Sequence, residues 1–431
     1  MELPKGVRAV WDLDKAHREA TPTRERVCIN GLWRWQPAGD APDAVPAGAW
    51  GFFKVPGCWP GITNYMQKDC QTVHAHPAWR TLSLPELKAA WYQREIGVPA
   101  DWDGRRIVLR AGYVNSFATV FIDGKEVGEI RFPWGEIDLT NACRAGKTHR
   151  LSIHVLALPL KGVMLSYSDS ASSREVKGSV GRRGLCGDVY LVGEPAGARI
   201  RHTKVDTSVR KWRITFGATL EDLNPRARYR LHARVMDGVQ TVAEFTSEPF
   251  RKSALKDGRA SFAKPWKPDK LWDTHTPENQ YDVQLSLLDA KGNVLDAALP
   301  ERFGFREFWI EGRDFYLNGT RIYLSGEPID NAQIGAAWAT YDAVRETLQR
   351  FRSFGINFVY THNYGCTPGS HLAFEEELRA ADDAGMLVSF SQPHFGHYDW
   401  DADDANGYAR HAEFYARAAG NHPSVVFYST S

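Results

Sequence analysis

The chain has 431 residues and a mass of 48.5 kDa, which at roughly 150 residues per domain suggests about three domains. Lys and Arg total 53 against 52 Asp and Glu, a formal net charge of +1, which excludes the basic footprint of a general nucleic-acid binder. The 43% hydrophobic content supplies cores enough to exclude disorder over most of the length, and no run approaches the roughly 18 apolar residues of a membrane-spanning helix.

Residues 25–195 read as short strands. The segment 106–122 is rich in β-branched and aromatic residues and ends at Asp123-Gly124, a hairpin-turn signal with Val127 opening the return strand. Further strands are expected at 150–156 and 188–192, and the polar stretch 166–184 reads as loop. Many short strands with irregular loops predict an antiparallel sandwich. Pro195 and Gly197 mark a linker. From 196 to 305 the β texture continues at 199–205, 212–216, 229–235 and 281–288, and the last three runs alternate with period two. About 110 such residues fit one immunoglobulin-like sandwich.

From about residue 306 strands alternate with helices. After the Asn318-Gly319 turn, 321–325 reads as a first strand. A helix follows over 341–354, with Val344, Leu348 and Phe351 on one face, Thr340 as its cap and Gly355 as its stop. Strands at 356–360, 386–390 and 424–429 alternate with helices that begin after Ser370, carrying Phe374, Leu378 and Ala381 up to Gly385, and near Ala405, stopped by Gly420. That alternation predicts βα units on a parallel sheet. A closed (β/α)8 barrel takes about 250 residues, whereas 306–431 holds 126. The expectation is therefore an incomplete TIM barrel, reaching about its fourth strand.

The six cysteines, Cys28, Cys58, Cys70, Cys143, Cys186 and Cys366, contain no CxxC pair and are sparse for a disulfide scaffold; they read as buried thiols. The aromatic content of 12%, with 15 Trp, suits sugar-stacking faces and β-sandwich cores alike. Trp59, Trp79, Trp91 and Trp134 are assigned to core. No P-loop, HExxH or GxSxG motif occurs. The acidic run Asp399, Asp401, Asp403 and Asp404 reads as a solvated loop, so no metal and no cofactor are expected. The N-terminus has no apolar signal core, and the compartment stays undecided between the cytoplasm and a leader-directed location.

The order sandwich, immunoglobulin-like domain, βα-barrel resembles glycoside hydrolase family 2, the β-galactosidase and β-glucuronidase type. The similar stretches are colinear: 55–59 (Val-Pro-Gly-Cys-Trp), 91–99, 102–106, the hairpin 118–128, 187–191, then Phe303-Gly-Phe-Arg-Glu with 315–326 at the barrel entry, and Asn421-His-Pro-Ser-Val-Val-Phe-Tyr-Ser. The resemblance implies a multidomain β plus α/β protein. A jelly-roll-like, galactose-binding-like sandwich would occupy 1–195, an immunoglobulin-like sandwich 196–305, and the N-terminal half of a TIM-barrel catalytic domain 306–431. It also implies retaining hydrolysis of O-glycosidic bonds by two carboxyl groups about 5–5.5 Å apart.

In the family those two Glu follow the fourth and seventh barrel strands, so no catalytic residue is expected among these 431 and the chain alone is expected to be inactive. The expected substrate contacts are Glu327 and Asp330 after strand one, Trp338, His362 and Asn363 after strand two, and His394 after strand three. The runs 325–330, 360–365 and 389–394 depart from the family's usual Arg-Gly, Arg-Thr-Ser-His-Tyr-Pro and acidic strand ends, which puts the usual sugar specificity in doubt. The expected partner is a carbohydrate, either an oligo- or polysaccharide or a glycoside. A homo-oligomer stays open; nucleic acid and membrane are not expected. The alternative reading is a non-catalytic carbohydrate-binding or scaffold protein.

Overall fold

A computed structural model of the chain describes residues 3–39, 41, 44–59, 73–115, 117–157, 160–165, 173–178, 183–329, 340–361, 374–391 and 408–429. The N-terminal part is built from two antiparallel sheets. One orders the strands Arg18–Ala20, Glu25–Cys28, Val189–Pro195, Arg105–Gly112 and Trp134–Asp138. The other runs Lys125–Arg131, Phe117–Ile122, Thr148–Leu156, Ala89–Gly97, Gly31–Ala38, Gly51–Val55 and Val73–His74. Between them lies a core of Trp33, Trp35, Phe53, Trp59, Tyr92 and Trp102, with aliphatic residues from both sheets. Trp59 and Trp79 are buried there, as expected, whereas Trp91 is buried outside that core, against Phe121 and His154. Their rings exclude water over large areas while an indole N–H finds a partner: Trp59 Nε1 donates to the Tyr92 hydroxyl at 2.6 Å.

The segment 106–122, rich in strand-forming residues, is divided between the two sheets. Tyr113 takes a left-handed backbone, φ 46°, and breaks the extended run. The preceding strand stays in the five-stranded sheet, and Phe117–Ile122 enters the seven-stranded one. A strand carries apolar residues on both sides of such a crossover, so pattern alone does not reveal the break. The Asp123-Gly124 turn forms as expected. Both residues have positive φ, 50° and 84°, and Ile122 pairs with Lys125. The stretch read as loop contains a strand, Ser173–Gly178, paired antiparallel with Leu160–Leu165.

The following strands also form two sheets. Arg199–Ser208, Arg213–Glu221 and Arg259–Pro265 make one; Gln240–Thr246, Arg230–Asp237, Tyr281–Leu288 and Val294–Ala297 make the other, with Glu301–Phe303 also on Tyr281–Leu288. The period-two reading holds: Ile214, Phe216, Ala218 and Leu220 alternate inward against Leu231, Ala233, Val235, Val283 and Leu285.

The two sandwiches meet at a buried ion pair. Arg24, at the start of Glu25–Cys28, contacts Asp296 in Val294–Ala297 through two nitrogens, Nε at 3.0 Å. Asp296 is fully buried and also accepts from the Ile200 amide at 2.7 Å and the Thr23 hydroxyl at 2.9 Å. A charge without water needs every lone pair engaged, and here it has that.

Beyond residue 306 the strands Phe308–Glu311, Asp314–Leu317 and Thr320–Ile322 form a small antiparallel sheet. Four parallel strands follow in sequential order: Gly326–Ile329, Phe358–Thr361, Leu387–Ser391 and Val425–Ser429. The helices Tyr341–Ser353, Phe374–Ala384 and Tyr408–Ala419 lie between them in sequence. Thr340 caps the first helix as expected, accepting from the Ala343 amide, and Gly355 and Gly385 end two of them with φ 81° and 66°. The first parallel strand was expected at 321–325. It begins at Gly326 instead, because Arg321 and Ile322 are taken up by pairing with Tyr316 and Phe315 in the antiparallel sheet. A short strand after a turn does not announce which neighbour it will choose.

Candidate functional site

In a parallel sheet every strand ends at the same edge, and loops leaving that edge are where barrel-type folds gather chemistry. Ile329, Thr361 and Ser391 end the first three strands. Asp330 follows the first directly, His362 and Asn363 follow the second, and His394 comes three residues after the third. Asp330, Trp338, His362, Asn363 and His394 lie outside the described residues, as do the acidic run 399–404, Cys70 and Cys366.

Glu327 is described, and its position differs from the expectation. It sits inside the first parallel strand, opposite Val359, not past its end. Alternation puts it on the same face as Ile329. Ile329 and Val359 pack with Val344 and Leu348 of the first helix, Leu378 and Ala381 of the second, and Tyr415 and Ala419 of the third. Alternation thus puts the Glu327 side chain on the helix-covered face, where its edge strand leaves it exposed.

The opposite face carries Phe358 and Tyr360, the latter 38% exposed. At its lower end Phe358, Phe427, Phe308 and Phe315 interlock edge to face, with ring centroids 5.2–6.0 Å apart across the Phe427 contacts. The small antiparallel sheet therefore closes the N-terminal end of this face. Gly326 makes room for the cluster: a Cβ there would lie 2.8 Å from Phe358 Cδ1.

The run Asn421-His422-Pro423-Ser424 sets the fourth strand against the rest of the molecule. Asn421 accepts from the Val205 amide at 3.0 Å and donates to the Thr203 carbonyl at 3.0 Å, imitating a strand neighbour to Arg199–Ser208. His422 Nδ1 lies 2.6 Å from Asp382 Oδ2, and Asp382 Oδ1 accepts from the Ser424 amide at 3.0 Å. Burial works against a charged imidazole, but Asp382 outweighs it and raises the His422 pKa above the ordinary value. Arg306 donates from Nε to the Pro423 carbonyl at 2.8 Å and from a terminal nitrogen to Val425. Asp382 was not singled out from sequence, although a signal existed. It lies four residues after Leu378, on the buried stripe of its helix, where a lone carboxylate needs partners.

A second charged junction joins all three parts. Glu136 bridges Arg110, at 2.5 Å, and Arg201; burial would raise its pKa, but the two guanidiniums hold it below the carboxylate range. Next to it His202 faces Arg417 of the third helix, and burial together with Arg417 and Arg201 depresses its pKa to about 3. Trp134, expected in the core, is half-buried here and stacks on Phe414 at 6.0 Å. Tyr113 donates to Glu375 Oε2 at 2.6 Å. These are positioning contacts, without the geometry of an acid–base pair. Among the described residues no group of three or more His, Cys, Asp and Glu could hold a metal ion, and no helix is long and apolar enough to cross a membrane.

No family model matches the chain. A β-galactosidase of Aeromonas hydrophila is 25% identical over 97% of this chain and 42% of its own length. The chain thus spans less than half of that relative. The fold is shared with a β-glucuronidase from Ruminococcus gnavus, solved in complex with D-glucuronic acid (TM-score 0.68, 18% identity, 95% of this chain and 67% of that one). It is also shared with a glycosyl hydrolase family 2 member from Bacteroides cellulosilyticus (TM-score 0.65, 18% identity, 94% and 52%). The chain is thus similar over nearly its whole length to a β-galactosidase, and it shares its fold with a β-glucuronidase and a glycosyl hydrolase family 2 member.

Proposed function

We propose that the chain is the scaffold and barrel-opening part of a glycosidase that hydrolyses O-glycosidic bonds with retention. On this reading residues 1–195 are a jelly-roll-like, galactose-binding-like sandwich, 196–305 an immunoglobulin-like sandwich, and 306–431 the first half of a (β/α)8 barrel. The observation that carries it is the parallel sheet of four strands in sequential order, entered through a small antiparallel sheet after two sandwiches. The Phe358 and Tyr360 face supports the barrel reading, because parallel sheets are ordinarily covered on both sides.

Asp330, Trp338, His362, Asn363 and His394 are the proposed sugar contacts; Glu327, turned to the helices, is not retained among them. Retention needs one carboxylic acid to protonate the leaving oxygen and one carboxylate to attack the anomeric carbon. By the family resemblance both would follow strands at or beyond Val425–Ser429. A β-galactoside or β-glucuronide is the first substrate class to examine, since those are what the relatives' names point to.

The test compares polypeptide 1–431 with the product of any reading frame that continues past Ser431 on aryl β-galactosides and β-glucuronides. We expect no aglycone release from 1–431, and release from the longer product with the first-formed sugar in the substrate's anomeric configuration. Turnover by 1–431 would refute the placement of the carboxylates. A longer product that binds sugar without turnover would favour a non-catalytic carbohydrate-binding protein.

A further inference from the structure

We propose that Cys58 and Cys186 form an oxidisable dithiol, a modification site that a hydroperoxide closes into a disulfide and a dithiol reductant reopens. Their Sγ atoms lie 3.5 Å apart although the residues are 128 positions apart in sequence. A disulfide needs about 2.05 Å, so the bond forms on an approach of about 1.5 Å. The backbone already holds the two sides together. Gly57 donates to the Leu185 carbonyl at 2.9 Å, Trp59 to Arg183 at 3.0 Å, and Cys186 to Tyr113 at 3.1 Å. Cys58 is 1% exposed and Cys186 half-buried, so Cys186 is the more exposed residue of the two and Cys58 the shielded partner.

Burial pushes Cys143 up to about 12 and raises Cys28, which keeps both in the unreactive thiol form.

The chemistry balances in two steps. The Cys186 thiolate attacks a peroxide oxygen, the O–O bond breaks, hydroxide leaves, and the sulfur becomes a sulfenic acid. Cys58 sulfur then attacks the Cys186 sulfur; its proton and the departing hydroxide form water. Two thiols and one hydroperoxide yield one disulfide and two hydroxyl-containing products, with the sulfurs giving up two electrons. The bond would fasten the segment after Gly51–Val55 to the Gly184–Leu185 segment. That is beside Tyr113, where the first sandwich meets the helices, and it would stiffen the junction between them.

The experiment treats the 431-residue protein with hydrogen peroxide, alkylates remaining thiols and digests with trypsin without reductant. The expected product joins peptides 55–68 and 184–199, about 2 Da lighter than their sum, and vanishes on reduction. Both peptides fully alkylated, a link to another cysteine, or Cys186 as sulfinic acid beside alkylated Cys58 would each overturn the proposal. A 1,3-diketone trap for sulfenic acid provides a second readout. Labelling at Cys186 should rise about tenfold in Cys58→Ser over the unsubstituted chain; equal labelling in both would also overturn it.

Discussion

The second sandwich and the parallel sheet answer the same packing problem differently. In the sandwich each sheet has one apolar face, and the two faces cover each other, so Phe216 and Leu285 are completely buried without help from elsewhere. The parallel sheet is covered by helices on one face, where Val359, Leu378 and Val425 are buried. On the other face Tyr360 is 38% exposed. A sandwich is complete once two sheets have met. A parallel sheet needs a cover on each face, so its stability depends on what it leans on. Here that is the Asn421–Val425 run and Arg306, which tie it to other parts of the molecule, with Asp382 joining its second helix to Ser424.

The largest effect is expected where the two sandwiches join. Asp296→Ala leaves Arg24 buried without its partner and should destabilise by about 3–5 kcal/mol, with Arg24→Ala similar. A double replacement by apolar residues should cost less than the sum of the singles. Urea unfolding monitored by Trp fluorescence checks this; strictly additive losses would show that the pair is not coupled. The same substitutions should leave the parallel-sheet region's amide-exchange protection nearly unchanged, which separates the two regions directly.

Next comes Asp382→Asn, on the parallel-sheet side. His422 has a raised pKa in the folded chain. Its charged form therefore stabilises fully below the ordinary value of 6.5, and that contribution is lost as pH rises through the folded value. The gap between wild type and Asp382→Asn should be about 2 kcal/mol at pH 6 and shrink in alkaline solution. A gap that widens with pH would reverse the assignment of charge.

His202 runs the other way. Its pKa is depressed to about 3 from 6.5, so the unfolded chain takes up a proton below about pH 6.5 that the folded chain refuses, and stability falls on acidification. His202→Gln should remove that slope, a difference of about 1–2 kcal/mol between pH 6.5 and 5. Unfolding midpoints measured across that range test it, and an unchanged slope would point to other groups. The two histidines thus report opposite environments. His422 has a carboxylate partner, whereas His202 is set among the guanidiniums of Arg417, Arg201 and Arg110.

Much of this was legible in sequence where the signal is local. The Tyr341–Ser353 helix, its Thr340 cap and the alternating strands of the second sandwich follow from periodicity that short-range sterics enforce. Partner choice was not legible. Arg321 and Ile322 joined an antiparallel neighbour, which moved the first parallel strand onto Gly326 and turned Glu327 to the helices. The break at Tyr113 rests on a single left-handed residue that is not glycine. Asp382, Asn421 and Arg306 could be seen as polar residues, but what they hold lies up to 218 positions away in sequence, as for Asn421 and Thr203.

The smallest predicted effect also sharpens the comparison. Thr340 accepts from the Ala343 amide at the start of the Tyr341–Ser353 helix, and Thr340→Ala should cost about 1 kcal/mol. If the parallel-sheet region opens independently of the sandwiches, that loss will appear as faster amide exchange in this helix and in the Phe358–Thr361 strand beneath it, with exchange in Arg213–Glu221 unaltered. Exchange that quickens equally in both places would mean that the contacts through Asn421 and Arg306 bind the regions into one cooperative unit. The parallel sheet would then draw its stability from the sandwiches beside it as much as from its own helices.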